Sequence, residues 1–208
     1  IQLANEPNYC VEDVAEHAVA LLHACSRNLF GAAQAVGASA QAGAWDFSSV
    51  FPVRRLVGST VGVVGTGRIG RRVCDRLTSL GVHIIAFDPA LPESARVDGV
   101  AYVSMETLLQ RSDFITLHAP VTAETRRMID AAAVAAMKPT AYLINTSRAA
   151  LVDTNALVAA LHGHTIAGAA IDVFDVEPPP PDSPLLSAPR CLLTPHMGWA
   201  SEESAQAI

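Results

Sequence analysis

Short runs of β-branched and other apolar residues alternate along this chain with Ala- and Leu-rich stretches of helical spacing. The apolar runs lie at 61–64, 84–87, 101–103, 114–117, 141–144, 169–173 and 191–193. The helical stretches between them lie at 69–80, 105–110, 131–137 and 154–161. Because the runs are nearly continuous, both faces of each predicted strand must be covered. The order therefore predicts an α/β fold, with a parallel sheet wrapped by helices on both sides.

The composition excludes several classes of protein. Half of the 208 residues are hydrophobic and 16% are charged, which suits a large core in one domain, or one and a part. The net charge of −6 includes no block of Lys and Arg, which argues against nucleic acid or an anionic membrane surface as a partner. No apolar run approaches the roughly 20 residues that a bilayer span needs.

The four cysteines, Cys10, Cys25, Cys74 and Cys191, show neither CxxC spacing nor clustering with histidines. We interpret them as small buried residues of a reducing cytoplasm, not as disulfides or metal ligands. No signal peptide is visible and the first residue is not Met, so we expect a cytoplasmic, metal-free chain that is truncated or processed.

The segment before the first apolar run differs from the rest. Residues 11–28 predict a long helix with one apolar side. Residues 31–51 are rich in Gly, Ala, Ser and Phe and predict a loop too apolar for a free linker. The helix either packs on its own domain or forms a contact with a second subunit, and the sequence leaves both open.

A glycine motif, Gly65-Thr66-Gly67-Arg68-Ile69-Gly70, follows the first apolar run and opens a helical stretch. Gly65 permits a tight turn, Gly67 lets the backbone approach a pyrophosphate, and Gly70 lets the helix pack closely on the strand. The helix N-terminus offers free N–H groups to the phosphates. Placed between a strand and a helix, the motif predicts a Rossmann-type doubly wound sheet that binds a dinucleotide.

Asp88 directly follows the second apolar run, 18 positions after Gly70. That offset is close to the roughly 20 expected for the acid that binds the adenosine ribose hydroxyls. A carboxylate there repels a 2′-phosphate, and no Arg follows immediately to receive one, so NAD is favoured over NADP. The alternative is an Asp that only caps a turn before Pro89.

Three polar segments follow later strands, at 145–148, 172–178 and 194–198. Because ligands of a doubly wound sheet bind beyond the carboxyl ends of the strands, we expect these segments to meet in one crevice. There Arg148 can hold a substrate carboxylate through two charge-assisted contacts. His196 can give or take a hydroxyl proton, and Glu177 can stabilise its protonated form and fix its orientation.

Each of the three has a plainer interpretation. Arg148 could be a surface ion-pair partner, Glu177 a solvated loop charge and His196 a structural histidine. Their order, their placement at strand ends and their attachment to a dinucleotide loop favour the catalytic interpretation.

The motifs GTGRIG, LHAPVTAET, NTSR, DVFDVEP and TPHMG resemble those of the D-isomer-specific 2-hydroxyacid dehydrogenases. The resemblance runs from about Val11 to the end and includes the VAEHA helix that leads into the family's coenzyme domain. Stretches around 52–58, 177–189 and 196–204 look closest to the C-terminal-binding-protein-like subgroup.

The resemblance implies roles for individual residues. Arg148 matches the substrate-carboxylate arginine, Glu177 the acid partner and His196 the proton donor and acceptor. Asp172 matches the residue near the nicotinamide carboxamide. The remaining matches to cofactor-binding positions are Arg68 and Ile69 at the pyrophosphate, His118, Ala119 and Pro120 at the adenosine pocket, Thr125 and Thr146 towards the nicotinamide, and Gly198. The formate-oxidising subgroup carries Gln where Glu177 stands, so Glu177 argues for a hydroxy acid.

Two departures from the family pattern matter. Ala149 stands where the family has Gly after the arginine, and a positive φ there would strain the loop that holds Arg148. The family's second, substrate-binding domain is largely absent. We interpret 1–10 as the linker from that domain, 11–200 as the NAD-binding domain and 201–208 as the start of a truncated return helix.

We therefore expect an NAD-dependent enzyme, resembling this family, that interconverts a small D-2-hydroxy acid and its 2-keto acid. By the same resemblance we expect a homodimer. The alternative is an NAD(H)-responsive interaction module of the C-terminal-binding-protein type. A short-chain dehydrogenase is excluded, because no Tyr has a Lys four residues on.

Overall fold

A computed structural model describes residues 9–91 and 96–207. Its centre is one sheet of parallel strands in the order β3-β2-β1-β4-β5-β6-β7. The strands are β1 (Thr60–Val64), β2 (His83–Phe87), β3 (Ala101–Tyr102), β4 (Phe114–Leu117), β5 (Tyr142–Asn145), β6 (Gly168–Ile171) and β7 (Cys191–Leu193). The predicted α/β fold with a doubly wound parallel sheet is confirmed.

Helices cover both faces of the sheet. They are α1 (Val11–Ser26), α2 (Leu29–Gln41), α3 (Arg68–Thr78), α4 (Met105–Arg111), α5 (Ala131–Ala136), α6 (Thr154–His162) and α7 (Glu202–Ala207). The apolar sides of α1 and α3 pack on one face, where Val61, Val63 and Phe114 point. Helices α4, α5 and α6 pack on the other face, where Ile115, Leu117 and Leu143 point.

Local chemistry explains where several helices begin. The side chains of Ser104, Asp130 and Asp153 each accept a backbone N–H from the first turn of α4, α5 and α6. Such caps satisfy N–H groups that have no partner within the helix. Short helices in this layer therefore begin at defined residues, which fixes the loops between strand ends and helices.

The strand order reverses direction between β1 and β4. β1 pairs with β2 on one side and with β4 on the other, so the chain winds outwards in both directions from this point. In such sheets the crevice beyond the carboxyl ends of the two central strands is where ligands bind. The segments after Val64 and Leu117 both lead into this crevice.

Helix α1 is fixed to α3 by ion pairs as well as by apolar packing. Arg72 and Arg76 contact Glu12, each at 2.7 Å, and Arg76 contacts Glu16 at 3.0 Å. Of the two alternatives for this helix, packing on its own domain is thus observed.

The segment predicted as a loop at 31–51 begins instead with helix α2. Alanine is frequent in Leu29–Gln41, and its high helix propensity outweighs the cost of about 1 kcal/mol for each of Gly31 and Gly37. The helix is amphipathic only weakly, and Ser39 is its one buried residue. The prediction of a loop at 31–51 was wrong because a helix without an apolar side shows no helical repeat of apolar residues in its sequence.

The two ends of the described chain meet. The Ser204 hydroxyl of α7 bonds to Asp13 Oδ2 at 2.6 Å and to the Tyr9 carbonyl oxygen at 2.5 Å. Most of the linker predicted at 1–10, and residue 208 of the predicted return helix, lie outside the described residues. Within the described ranges, no helix has both the length and the apolarity to cross a bilayer.

Candidate functional site

The glycine motif forms the turn between β1 and α3. Gly65 has φ +86°, a conformation that L side chains rarely adopt. A Cβ on Gly70 would lie 2.0 Å from the Gly65 carbonyl oxygen, so only glycine lets α3 approach the turn this closely. A Cβ on Gly67 would meet nothing within 4 Å, which leaves open space in front of the backbone at the start of α3.

Asp88 holds this turn from the end of β2. Its Oδ2 accepts hydrogen bonds from the Thr66 backbone N–H at 2.7 Å and from the Thr66 hydroxyl at 3.2 Å. The Tyr102 hydroxyl, on β3, donates to the same Thr66 hydroxyl at 3.0 Å. Asp88 is half-buried, and its other oxygen accepts from the Ala90 N–H at 3.2 Å. The acid is therefore fixed beside the glycine turn, where a ribose-binding acid is expected.

The segment after β4 packs against the glycine turn. A Cβ on Gly65 would lie 2.8 Å from the Ala119 backbone nitrogen, which shows how closely the two segments pack. His118 lies beside them, and its Nε2 is 2.9 Å from the Thr116 hydroxyl. Burial lowers the pKa of His118 to about 4, so the ring is neutral near neutral pH. Pro120 is exposed at the rim.

Thr125 is not brought to the crevice by any contact. Its hydroxyl donates to the Pro120 carbonyl oxygen at 2.6 Å and accepts from the Thr122 N–H at 2.7 Å. Both bonds close the turn at 120–125. The role of Thr125 towards the nicotinamide stays a prediction.

His196 and Glu177 form a hydrogen-bonded pair. The Nδ1 of His196 lies 2.7 Å from Glu177 Oε2, and the Phe174 N–H donates to Glu177 Oε1 at 3.1 Å. The hydrogen bond from His196 and that from Phe174 hold the pKa of Glu177 below its usual range. With Nδ1 engaged, Nε2 of His196 has no hydrogen-bond partner among the described residues.

Arg148 follows β5 in a turn that Asn145 fixes. The Asn145 side chain accepts from the Ser147 N–H at 3.0 Å and donates to the Arg148 carbonyl oxygen at 2.9 Å. The Arg148 guanidinium is exposed, with one donor on the Ser147 carbonyl oxygen at 2.7 Å. Ala149 is not among the residues with positive φ, so the substitution of the family's glycine places no backbone strain behind Arg148.

Asp172 anchors the loop that carries His196. Its Oδ1 accepts from the Thr194 hydroxyl at 2.5 Å and from the Met197 N–H at 3.0 Å, and its Oδ2 accepts from the Gly198 N–H at 2.9 Å. Burial alone would raise the pKa of Asp172, but hydrogen bonds from His17, Thr194 and the two backbone N–H groups outweigh it and lower the pKa. Asp172 is therefore an ionised, fully engaged acceptor at neutral pH.

Seven of the predicted residues meet around one cavity of 170 Å³ at the carboxyl ends of the strands, whereas Glu177 and Asp88 are not in its lining. It is lined by Ile69, His118, Thr146, Arg148, Asp172, His196 and Gly198, and also by Tyr9, Cys10, Val14, Ser147 and Trp199. Thr146 Oγ1 is the one buried side-chain polar atom among the described residues that lacks a hydrogen-bond partner. An unpaired buried hydroxyl is costly, so its position here fits a ligand that supplies the missing bond.

These observations fit a dinucleotide. The space before Gly67 admits a pyrophosphate, Asp88 is placed for a ribose, and Thr146 offers a free hydroxyl at the other end of the crevice. No group of three or more His, Cys, Asp or Glu side chains in 9–91 and 96–207 is placed to hold a metal ion.

Sequence reasoning missed two residues of this arrangement. His17 on α1 contacts Asp172 and Thr194, although these lie more than 150 positions away in the chain. Thr66 occupies a variable position of the glycine motif, yet it links that motif to Asp88 and Tyr102. The one sequence signal for Thr66 is a small hydroxyl residue between two glycines that follow a buried strand.

Comparison with known proteins gives the family. Residues 19–198 match the family described as D-isomer specific 2-hydroxyacid dehydrogenase, NAD binding domain. The chain is 39% identical to a glycerate dehydrogenase of Methylorubrum extorquens, covering 100% of this chain and 65% of that protein. It is 41% identical to a glyoxylate reductase of Korarchaeum cryptofilum, covering 98% and 61%.

The fold agrees with a solved relative. The NAD-dependent formate dehydrogenase from Staphylococcus aureus in complex with NAD superposes with a TM-score of 0.86 at 34% identity, covering 95% of this chain and 58% of that one. The chain thus spans less than two thirds of the length of each of these relatives. It belongs to the D-isomer-specific 2-hydroxyacid dehydrogenase family, of which it contains the NAD-binding domain.

Proposed function

We propose that this chain is the coenzyme-binding part of an NAD-dependent enzyme that interconverts a D-2-hydroxy acid and its 2-keto acid. The observation that carries the proposal is the His196–Glu177 pair. It fixes one imidazole nitrogen at 2.7 Å from a carboxylate and leaves the other without a partner among the described residues, at a cavity that Arg148 also lines. This is the arrangement of an oriented general acid beside an anion-binding cation.

Arg148 binds the substrate carboxylate. Its guanidinium is exposed and engages one backbone carbonyl oxygen, so its remaining N–H groups are available for a two-pronged contact. The carboxylate is thereby held with the neighbouring carbonyl towards His196. The turn built by Asn145 sets the direction in which Arg148 leaves the sheet.

His196 supplies the proton. In the reducing direction Nε2–H gives its proton to the carbonyl oxygen as that oxygen becomes a hydroxyl, and in the oxidising direction Nε2 takes the proton back. A nicotinamide cofactor held along Gly67, Asp88 and Thr146 would supply the hydride chemistry of the reaction in either direction. Glu177 is ionised at neutral pH because its pKa lies below its usual range, and its charge stabilises the protonated ring.

The cofactor preference follows from Asp88. Its carboxylate is fixed beside the glycine turn and would repel a 2′-phosphate, so we propose NAD over NADP. The substrate class is a small acid, in line with the glycerate dehydrogenase and the glyoxylate reductase that the chain is similar to.

The test is reduction of a panel of 2-keto acids by NADH with the complete protein. We expect turnover with at least one small keto acid and a D-configured product. His196→Gln should lower kcat by about 10²- to 10⁴-fold and leave NADH affinity unchanged. His162→Gln, on the exposed end of α6, is the matched control and should behave as wild type. Turnover that survives His196→Gln would refute the role of His196.

The panel also decides the alternative. If no keto acid is reduced and NADH promotes self-association, the protein is an NAD(H)-responsive interaction module of the C-terminal-binding-protein type. The paired His196 and Glu177 beside Arg148 favour the enzyme, because a binding module has no need of an oriented proton donor.

We further propose a homodimer. The segment from Leu29 to Phe51 exposes several large apolar side chains, which a monomer rarely presents together. They are Leu29, Phe30, Val36, Trp45, Phe47 and Phe51, each exposed by 50% or more. A second copy of this chain would cover them.

We propose a cytoplasmic location, because all four cysteines are free thiols, as expected in a reducing compartment. For the domain organisation we propose 11–200 as the NAD-binding domain, with 1–10 leading in from a substrate domain and 201–208 beginning the return to it. Closure of that domain would exclude water from the crevice.

A further inference from the structure

The imidazole of His17, on α1, contacts the two side chains that hold the loop of His196. Its Nε2 lies 3.1 Å from the Thr194 hydroxyl and 3.3 Å from Asp172 Oδ1. The Thr194 hydroxyl donates its own hydrogen to Asp172 Oδ1, so towards His17 it is an acceptor. Nε2 of His17 therefore carries a hydrogen and donates it to this pair.

The loop needs such support because His196 has φ +53°, which is unfavourable for a residue with a side chain. Conformations of this kind persist where the surroundings over-determine them. The next two residues, Met197 and Gly198, donate their N–H groups to Asp172. Every one of these bonds ends on the carboxylate that His17 also contacts.

His17 also packs directly against the loop. A Cβ on Gly198 would lie 3.0 Å from Asp172 Oδ2 and 3.4 Å from Cδ2 of His17. The backbone at Gly198 is thus confined between the acid and the imidazole. The His17 side chain is 16% exposed and does not line the cavity, so it reaches substrate or cofactor only through the loop.

We infer that His17 is a positioning residue: its Nε2–H fixes the Thr194–Asp172 pair, and through that pair the 194–198 loop and the aim of His196. The catalytic consequence rests on the proposed function. The structural part, that His17 keeps this loop closed on Asp172, is independent of the proposed function.

Hydrogen exchange of the complete protein without cofactor tests the structural part. His17→Leu removes the donor and keeps the bulk, and we expect the amides of Met197 and Gly198 to exchange about tenfold faster. His17→Gln keeps an N–H donor of similar reach and should stay within about twofold of wild type. The matched control is His23→Leu on the same helix, whose ring has no hydrogen bond among the described residues.

Kinetics then test the consequence. His17→Leu should lower kcat about 10- to 100-fold while KM for NADH stays constant, and His17→Gln should restore most of the loss. If His17→Leu does not fold, His17→Met replaces the imidazole by another apolar side chain without an N–H donor and should give the same faster exchange.

Unchanged exchange in His17→Leu, or equal exchange in the Leu and Gln variants, would overturn the inference. A loss of kcat without faster loop exchange would overturn it too, since the effect would then not pass through the loop. If wild type reduces no keto acid, the proposed function fails, whereas the exchange result still decides the contact of His17 with the loop.

Discussion

Replacing Gly67 by alanine separates cofactor binding from folding. Gly67 precedes α3 with φ −65° and ψ −159°, which alanine adopts without strain, and the added Cβ would meet nothing within 4 Å. The methyl group would project into the open space that we assign to the pyrophosphate. The variant therefore leaves the free protein unaltered and changes the surface that a dinucleotide approaches.

The magnitudes follow from these contacts. Without a clash, alanine should leave stability unchanged or raise it by about 0.4–1 kcal/mol, because it reduces the freedom of the unfolded chain. A hydrogen bond from a backbone N–H to a charged phosphate contributes about 1.5–3 kcal/mol. Losing one such bond weakens NADH binding by about 10- to 100-fold, since about 1.4 kcal/mol corresponds to a factor of ten.

The assay is calorimetric titration with NADH, combined with thermal unfolding of the free protein. Gly70→Ala is the matched control, because its Cβ would lie 2.0 Å from the Gly65 carbonyl oxygen and neither backbone can yield cheaply. That variant should lose stability, by about 1–3 kcal/mol or more. Wild-type NADH affinity in Gly67→Ala would refute the reasoning, because the pyrophosphate could then not lie on this turn.

Three further changes test other parts of the site and assembly. Asp88→Ser removes the carboxylate that repels a 2′-phosphate and should therefore lower the dissociation constant of NADPH relative to that of NADH. If titration finds the same ratio of the two constants, Asp88 is not the discriminating acid. The pKa of Asp172 is lowered in the folded state, so its ionised carboxylate stabilises the fold at pH values above its ordinary pKa of 3.8. This stabilisation is lost as the pH falls below that value. The stability gap between wild type and Asp172→Asn in urea unfolding should therefore narrow below pH 3.8, and a gap independent of pH would contradict this. Trp45→Arg places a charge on a side chain that is 77% exposed in the proposed dimer surface, and should shift sedimentation towards monomer; an unaffected dimer would place the interface elsewhere.

The sheet was predictable because each strand is buried on both faces. The run at 114–117 coincides with β4 and that at 191–193 with β7, and the other bounds differ by one or two residues. The largest difference lies at 169–173, where the strand ends at Ile171. The Asp172 N–H still donates to the Asn145 carbonyl oxygen of β5 at 3.0 Å, and the chain turns away after it, where the Asp172 side chain accepts bonds from the loop after β7.

The pairing of His196 with Glu177 was also predictable, because each follows a strand end at one edge of the sheet. The surroundings of Asp172 were not. The sequence associates it with the nicotinamide, whereas its oxygens accept three hydrogen bonds within the protein and contact Nε2 of His17 at 3.3 Å, on a helix that precedes the sheet. Contacts between segments so distant in the chain leave no local pattern, and the same reason hides His17.

The most direct test of the proposed reaction follows the hydride. The complete protein is given NADH deuterated at nicotinamide carbon 4, on the transferred face, with the best keto acid of the panel. We predict a D-2-hydroxy acid with deuterium at carbon 2, formed about 10²- to 10⁴-fold more slowly by His196→Gln. A product without deuterium would contradict direct hydride transfer, and an equal rate of labelled product from His196→Gln would contradict His196 as the proton donor.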